Sequence, residues 1–526
     1  MAFPDLQTFV AELERRDQLR RVRAEVSPIL ELAEIADRVM KQPCPEGAKG
    51  APATDPIRGD KGGRALLFEN VSGSSIPVLI NAFGSYGRIQ LALGCDSLEQ
   101  LASKVQQMVK PEVPATLLDK MKKLPDLIKL AGMPPKVVRK GICQEVVHTD
   151  DADLLSLPLI QCWPDDGDLA SEPPDVEREA NPFPEADGSE GRTGRYITFG
   201  GIYTKDPDTG DRNVGMYRIQ AFGPKLAAAH WHMHHDGARH HRKWAAKGEP
   251  MPMAVVLGGE SVLPYAATCP LPPNISELLF AGFLNGGPIE LVPAKTVPLE
   301  VPTNAEIVIE GWVDPKEKFI EGPFGDHTGF YSLSSPYPVF RISAITHRRN
   351  PIYPTTIVGK PPMEDYALGK ATERIFLPLL QMIIPDIIDY DLPMFGAFHN
   401  CVFVKIRKDY PYQARKIMHA IWGAGQMMFT KFIIVVDEHV DVHNEQDVLF
   451  HVCANVDPRR DTVIVDGPLD ILDHAAPFEG AGSKMGIDAT KKIPGEGTIR
   501  RWPAELDMSP AIKAQVTRRW SELGLD

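Results

Sequence analysis

The stretch from Arg195 to His241 constrains the fold more than any other. RYITFGGIYTKD is rich in Tyr, Ile, Thr and Phe, DPDTGD supplies a turn, and NVGMYRIQAFG resumes the pattern. The pair reads as two strands joined by that turn. Asn213, Met216 and Arg218 punctuate the second strand. A dozen residues later HWHMHHDGARHH places six histidines among the twelve positions His230 to His241. No purely structural need collects so many imidazoles beside an arginine-bearing strand, so an anion or a metal ion is expected there.

At 526 residues the chain has room for roughly two to four domains. A formal charge of −13 and a pI near 5.7 argue against a nucleic-acid binder, which needs a concentrated basic surface. The seven cysteines are scattered and form no CxxC pair, which points to reduced thiols in the cytoplasm. MAFPDLQTF lacks a basic region followed by an apolar run, and no stretch reaches the roughly 18 apolar residues of a membrane span. A soluble cytoplasmic protein is the expectation.

The chain reads as mixed α/β. In an N-terminal α/β segment, 1–140, Asp5 can cap a helix bearing Leu6, Phe9, Val10 and Leu13. Ser27-Pro28 reads as a second helix start. ALLFENV and IPVLINAFG fit strands and SLEQLASKVQQMV fits a helix. The acidic, proline-rich run from Trp163 to Gly194 reads as a surface excursion. Strand-like runs then dominate a β-rich, barrel-like region, 141–350: MAVVLGG, SVLPYAA, PIELVPAKTV, AEIVIEGWV and PVFRISAITHR, with one inserted helix, PNISELLFAGFL. From 351 to 526 strands and helices alternate as an α/β layer. GAGSKMGIDATKK is its least patterned part, and a last helix from about Ser509 to Leu523 is expected against another element or subunit.

Three groups of residues could carry chemistry. Asn213, His234 and Glu277 offer amide oxygen, imidazole nitrogen and carboxylate oxygen, suited to manganese or magnesium. Glu277 reads equally well as a favourable first-turn charge on its helix. EGPFGDHTGF carries Glu321 and Asp326, and its proline and glycines exclude a helix. A tight bend there could aim both carboxylates at one pocket, with Arg218 holding one ionised while burial keeps the other protonated as a donor. Lys360, Lys370, Lys431 and Lys484 are the candidate cations for a phosphate or carboxylate. GxGxxG with a spaced acidic residue, GxxxxGK[ST] and GxSxG are all absent.

Taken together, RYITFGGIYTKDPDTGDRNVGMYRIQ, HWHMHHDGA, PPNISELLFAGFL, LEVPTNAEIVIEGWV with EGPFGDHTGF, and TKFIIVVDEHVDVHNEQDVLF resemble the UbiD family over most of the chain. That resemblance implies a reversible (de)carboxylase using prenylated FMN. It implies a split-barrel-like cofactor domain between the N-terminal segment and a C-terminal oligomerisation domain, joined by a hinge helix. It maps a divalent-metal set, usually manganese, onto Asn213, His234 and Glu277. Met216 and Lys431 fall in the cofactor pocket, and a potassium site falls on the backbone near Ala266, Ala267 and Cys269. A Glu–Arg–acid network falls on Glu321, Arg218 and Asp326, with Asp326 delivering the proton and Glu321 orienting Arg218. A flavin prenyltransferase would supply the cofactor, and a dimer or hexamer is expected.

The chemistry agrees independently. Losing CO2 from an sp2 carbon leaves a carbanion with nowhere to place its charge, so an electron sink is needed that side chains do not offer. An aromatic or heteroaromatic acid is the expected substrate, with 4-hydroxy-3-polyprenylbenzoate among the alternatives. A metal-dependent hydrolase built on the histidines and an inactive assembly subunit are the competing classes.

Overall fold

The structure, a computed structural model, describes residues 2–45, 60–109, 133–174, 186–187, 191–232, 235–271, 275–498 and 500–525. His234 therefore lies outside the described residues. Helix Leu6–Arg15 starts where Asp5 accepts the Thr8 N–H at 2.7 Å, and it buries Leu6, Phe9, Val10 and Leu13. The second helix begins later than Ser27-Pro28 suggests, at Glu31, whose carboxylate takes the Ser27 N–H at 2.8 Å. A four-stranded sheet follows in the order Leu19–Val22, Ala65–Phe68, Val78–Ile80, Tyr353–Thr355. Its last strand comes from beyond position 350, so the chain returns to the N-terminal segment after leaving the central region.

The central sheet has ten strands and curls into a half-barrel. Along its main path the order is Tyr196–Ile197, Ile219–Gly223, Leu226–Ala229, Ser335–His347, Ala305–Glu321, Met251–Gly258, Gly201–Lys205, Arg212–Met216. The expected pair of strands between Arg195 and Gly223 is thus four short ones. Arg212–Met216 ends one side of the path, whereas Ile219–Gly223 lies next to the other end. Only Tyr217 and Arg218 separate them in sequence, so the chain steps across the mouth of the curl at Arg218.

Three further readings change. SVLPYAA forms the short helix Leu263–Ala266 instead of a strand, with Pro264 in its first turn, where a missing N–H costs nothing. A second helix, Asp236–Lys247, follows the histidines and closes on Gly248 at φ +73°. The Trp163 end of the supposed surface excursion is inside: Asp166 is 2% exposed.

The C-terminal sheet runs Ile387–Asp391, Cys401–Ile406, Phe432–Asp437, Ala481–Asp488, Thr462–Pro468. Ala481–Asp488 is the run that looked unpatterned; it pairs parallel with Phe432–Asp437 and antiparallel with Thr462–Pro468. Its glycines and buried Lys484 disguise the alternation; Gly486 lies where a Cβ would strike Met418 at 2.4 Å. Helix Glu364–Ile383 links the regions. At its start Glu364 accepts the Phe83 and Asn81 N–H groups. Further along, Lys370 and Arg374 reach Asp391 and Asp389 of the C-terminal sheet. The last helix, Pro510–Arg519, buries no side chain within the chain. Among the described residues no helix is long and apolar enough to cross a membrane.

Candidate active site

Arg218 meets both carboxylates that the sequence singles out. Its Nε and Nη2 donate to Glu321 Oε1 and Oε2 at 2.7 and 3.0 Å, and Nη1 donates to Asp326 Oδ2 at 2.5 Å. Nη2 also donates to Ser332 Oγ at 2.8 Å, and the guanidinium lies 4.6 Å from the Phe324 ring centroid. Glu321 is fully buried, and the side chains of Arg218 and Asp326 are 8% exposed. Glu321 ends the long strand Ala305–Glu321, whereas Asp326 sits beyond a bend that includes Gly322 at φ +92°.

The bend is held from several sides. Gln220 accepts the Gly322 N–H at 2.9 Å, and Arg192 donates to the Gly322 and Ile320 carbonyls. Asp166 accepts the Gly325 N–H at 2.8 Å while its other oxygen takes the Cys162 and Trp163 N–H groups. Burial pushes the Asp166 carboxyl up to about 7 against these bonds. Gly325 packs against Trp163 so closely that a Cβ would lie 2.1 Å from the indole. These clamps were invisible in the sequence because they come from three separate segments.

Electrostatics corrects one expectation. Burial raises Glu321, but Arg218 and His230 outweigh it and hold the carboxyl down at about 2. Burial also raises Asp326, but the hydrogen bond and charge of His327, together with Arg218, hold it well below the ordinary carboxylate range. Both acids are therefore ionised in this arrangement, and neither is kept protonated by its neighbour. His327 is the reciprocal partner: burial lowers it, yet the Asp326 bond at 2.9 Å lifts it to about 9.

The histidine run divides its labour. His230 Nδ1 lies 2.8 Å from Glu321 Oε2, and His232 lies 2.8 Å from His230 Nε2. Burial, then the charge of Arg218, lowers His230. His240 turns away to Thr204 at 3.0 Å and His241 to the Asp314 carbonyl at 2.9 Å. The described imidazoles do not converge on one point.

Asn213 and Glu277 do come together. Glu277, in the first turn of its helix behind the Ser276 cap, accepts the Val214 N–H at 2.9 Å. Burial lifts its carboxyl to about 7, with no neighbouring cation among the causes. The Asn213 amide nitrogen is buried without a hydrogen-bond partner. A buried carboxylate with no cation against it, bonded to the residue next to Asn213, offers the oxygen donor that a manganese- or magnesium-class ion takes. The backbone near the proposed potassium site is already engaged: Ala267 O accepts the Met216 N–H at 3.1 Å, Ala266 O the Cys269 N–H at 3.3 Å, and Cys269 O the Leu271 N–H at 2.9 Å. Each carbonyl keeps one further lone pair.

Two of the four candidate cations are committed to carboxylates. Lys431 pairs with Asp473 at 2.8 Å, Lys370 with Glu373 and Asp391, and Lys484 reaches the Met428 carbonyl, burial lowering its ammonium to about 8. Lys360 is exposed and its backbone lies against Gly329. The C-terminal domain still closes over the acid loop through other side chains. His327 lies 5.7 and 5.3 Å from the Phe398 and His399 rings, and Phe330 lies 4.1 Å from His474.

Three family models match successive parts of the chain. They describe the N-terminal, Rift-related and C-terminal domains of 3-octaprenyl-4-hydroxybenzoate carboxy-lyase, over residues 10–108, 136–361 and 366–489. An uncharacterized protein of Aquifex aeolicus is 46% identical over 100% of this chain and 99% of its own. The chain belongs to the UbiD family. Members of that family are carboxy-lyases, and this UbiD chain shares their fold. Vanillic acid decarboxylase of Sedimentibacter hydroxybenzoicus is 26% identical, covers 100% of both chains and superposes with a TM-score of 0.79 in its closed form. In its open form the score is 0.71. An evolved dimeric form of the UbiD-class enzyme HmfF from Pelotomaculum thermopropionicum, in complex with prFMN, gives 25% identity and 0.72, covering 97% of this chain and 98% of its own.

Proposed function

We propose that the chain carries out non-oxidative, reversible decarboxylation of an aromatic or heteroaromatic carboxylic acid with prenylated FMN. The observation that carries this reading is the buried fork in which one guanidinium holds Glu321 and Asp326 at once. A substrate carboxylate matches the planar Arg218 fork and competes with Asp326 for it. The pocket then holds three carboxylates against the two cations Arg218 and His327, which destabilises the bound acid relative to neutral CO2. The loss of its guanidinium partner raises the proton affinity of Asp326, and protonated His327, bonded to it at 2.9 Å, hands over the proton that makes it the acid. Asp326 then protonates the product carbon. Glu321, held twice by Arg218 and once by His230, keeps the guanidinium oriented.

Prenylated FMN, when bound, supplies the electron sink for the carbon that loses CO2. Asn213, Glu277 and His234 would hold a manganese or magnesium ion at the cofactor phosphate, beside Met216. Potassium would use the free lone pairs near Ala266, Ala267 and Cys269. A separate flavin prenyltransferase would supply the cofactor. The vanillic acid decarboxylase match supports a small ring acid as substrate.

Co-expression with a flavin prenyltransferase, followed by absorption spectroscopy and a CO2-release screen, tests the reading. The screen should include vanillate, a furoate and a polyprenylated hydroxybenzoate. A flavin-type spectrum with CO2 release from one acid class is expected. A colourless protein after cofactor supply would overturn it, as would a flavin-loaded one inert on every acid.

A further inference from the structure

A second cluster of ligand-type side chains lies far from the fork, where the C-terminal arm leaves the body. His439 follows strand Phe432–Asp437, His451 projects from helix Glu445–Asn455, and Glu505 belongs to the arm preceding helix Pro510–Arg519. One ligand atom from each lies within 4.8 Å of the other two. His439 Nε2 is 2.8 Å from Glu505 Oε2, and His451 Nε2 is 3.5 Å from each Glu505 oxygen.

The orientation of His451 leaves its Nε2 facing the other two side chains. His451 Nδ1 lies 2.8 Å from the Asp447 carbonyl oxygen, which only accepts, so Nδ1 carries the proton. In the neutral ring Nε2 is then a bare lone pair aimed at a carboxylate. Nε2, with His439 Nε2 and the Glu505 carboxylate around it, is the ring atom left to hold a cation. An imidazole whose other N–H is fixed on a backbone carbonyl is the usual state of a histidine bound to a metal.

We propose that His439, His451 and Glu505 bind a zinc-class divalent cation that fastens the C-terminal arm to the C-terminal domain. Two imidazole nitrogens and one carboxylate oxygen suit zinc, which takes them at ~2.0–2.2 Å. A tetrahedral ion at those bond lengths sets its ligand atoms ~3.3 Å apart, and the observed 2.8 and 3.5 Å bracket that edge. His451 is 4% exposed and anchors the site from inside. The His439 and Glu505 side chains are each 53% exposed, so the fourth position opens to water or to a donor from another molecule. The nitrogen-rich donor set separates this site from the oxygen-rich pair Asn213 and Glu277. The cation would fix the direction of an arm whose Leu506 is 99% exposed and which also presents Met508, Ile512, Val516 and Trp520.

The test uses untagged full-length protein stripped by a chelator and then saturated with manganese to occupy the oxygen-rich site. Zinc is titrated against a chromophoric chelator into the wild type, His439→Ala and Glu505→Gln. Both substitutions lie on exposed side chains, so folding is preserved without touching the buried His451. The wild type is expected to bind one equivalent that each variant holds at least ~100-fold more weakly, since loss of an outer-shell partner alone costs ~10–100-fold. Zinc should also slow trypsin cleavage at the exposed Arg500 and Arg501 in the wild type and not in Glu505→Gln. Equal zinc stoichiometry and affinity in all three proteins would overturn the proposal, as would zinc protection that persists in Glu505→Gln.

Discussion

Replacing Arg218 by Met isolates the electrostatics of the fork. In the folded chain Glu321 titrates at about 2 against an ordinary 4.5. That difference, about 2.5 at 1.36 kcal/mol each, corresponds to ~3 kcal/mol from the ionised carboxylate alone. Removing one member of a buried ion pair costs ~3–5 kcal/mol, which agrees. The sign follows from the direction. A depressed carboxyl contributes stability that is present above pH 4.5 and lost as pH falls towards 2. In Arg218→Met burial is unopposed by the guanidinium, so Glu321, with His230 beside it, takes up a proton at higher pH than in the wild type, while His327 still holds Asp326 ionised. The variant therefore gains stability relative to wild type as pH falls. Calorimetric melting of the two proteins between pH 5.5 and 8 measures this. At pH 8 the variant should melt ~10 °C lower, taking ~2–4 °C per kcal/mol for a unit the size of the central domain. The gap should narrow at pH 5.5, and adding Asp326→Asn should narrow it at pH 8. A gap that is constant or widens towards acid would refute the argument that Arg218 is what keeps Glu321 ionised.

Asp326→Asn keeps one acceptor, which serves Arg218 or His327 but not both since they bond to different oxygens of Asp326, and has no transferable proton, so flavin binding should survive while turnover falls ~10²–10⁴-fold; robust CO2 release by that variant excludes Asp326 as donor. Glu277→Gln removes the charge without the volume, and elemental analysis should show loss of the divalent ion before any loss of fold; unchanged metal content excludes Glu277 as a ligand. Gly325→Ala forces a Cβ against Trp163 at 2.1 Å and should cost ~1–3 kcal/mol while displacing the Asp326 loop. Its turnover should fall more than its melting temperature suggests, and a variant with wild-type kinetics would show that the loop position does not set Asp326.

The acid loop was legible because proline and glycine ruled out a helix between Glu321 and Asp326, leaving a bend as the remaining reading. The sequence also marked Arg218, but not its place where the half-barrel's two sides meet, since strand order is a long-range property. The protonation state was misread because His327 was treated as part of a motif and not as a second cation on Asp326. Lys431 looked available at a strand start, yet Asp473, distant in sequence, neutralises it. Ala481–Asp488 was missed because buried Lys484 and its glycines hide a central strand behind a loop-like composition. The histidine run suggested a metal or an anion, with His234 as ligand; of its described members His230, His232 and His235 pack in a row beside Glu321, whereas His240 and His241 turn to Thr204 and the Asp314 carbonyl.

The crossing at Tyr217 and Arg218 has a consequence for how this protein can change. Those two residues are at once the bridge between the rims of the sheet and the mount for the guanidinium. Any substitution that tightens or relaxes the curl shifts Arg218 against Glu321, because the two are carried by different strands. Variants that keep the fork intact must therefore leave the wrap of the sheet fixed.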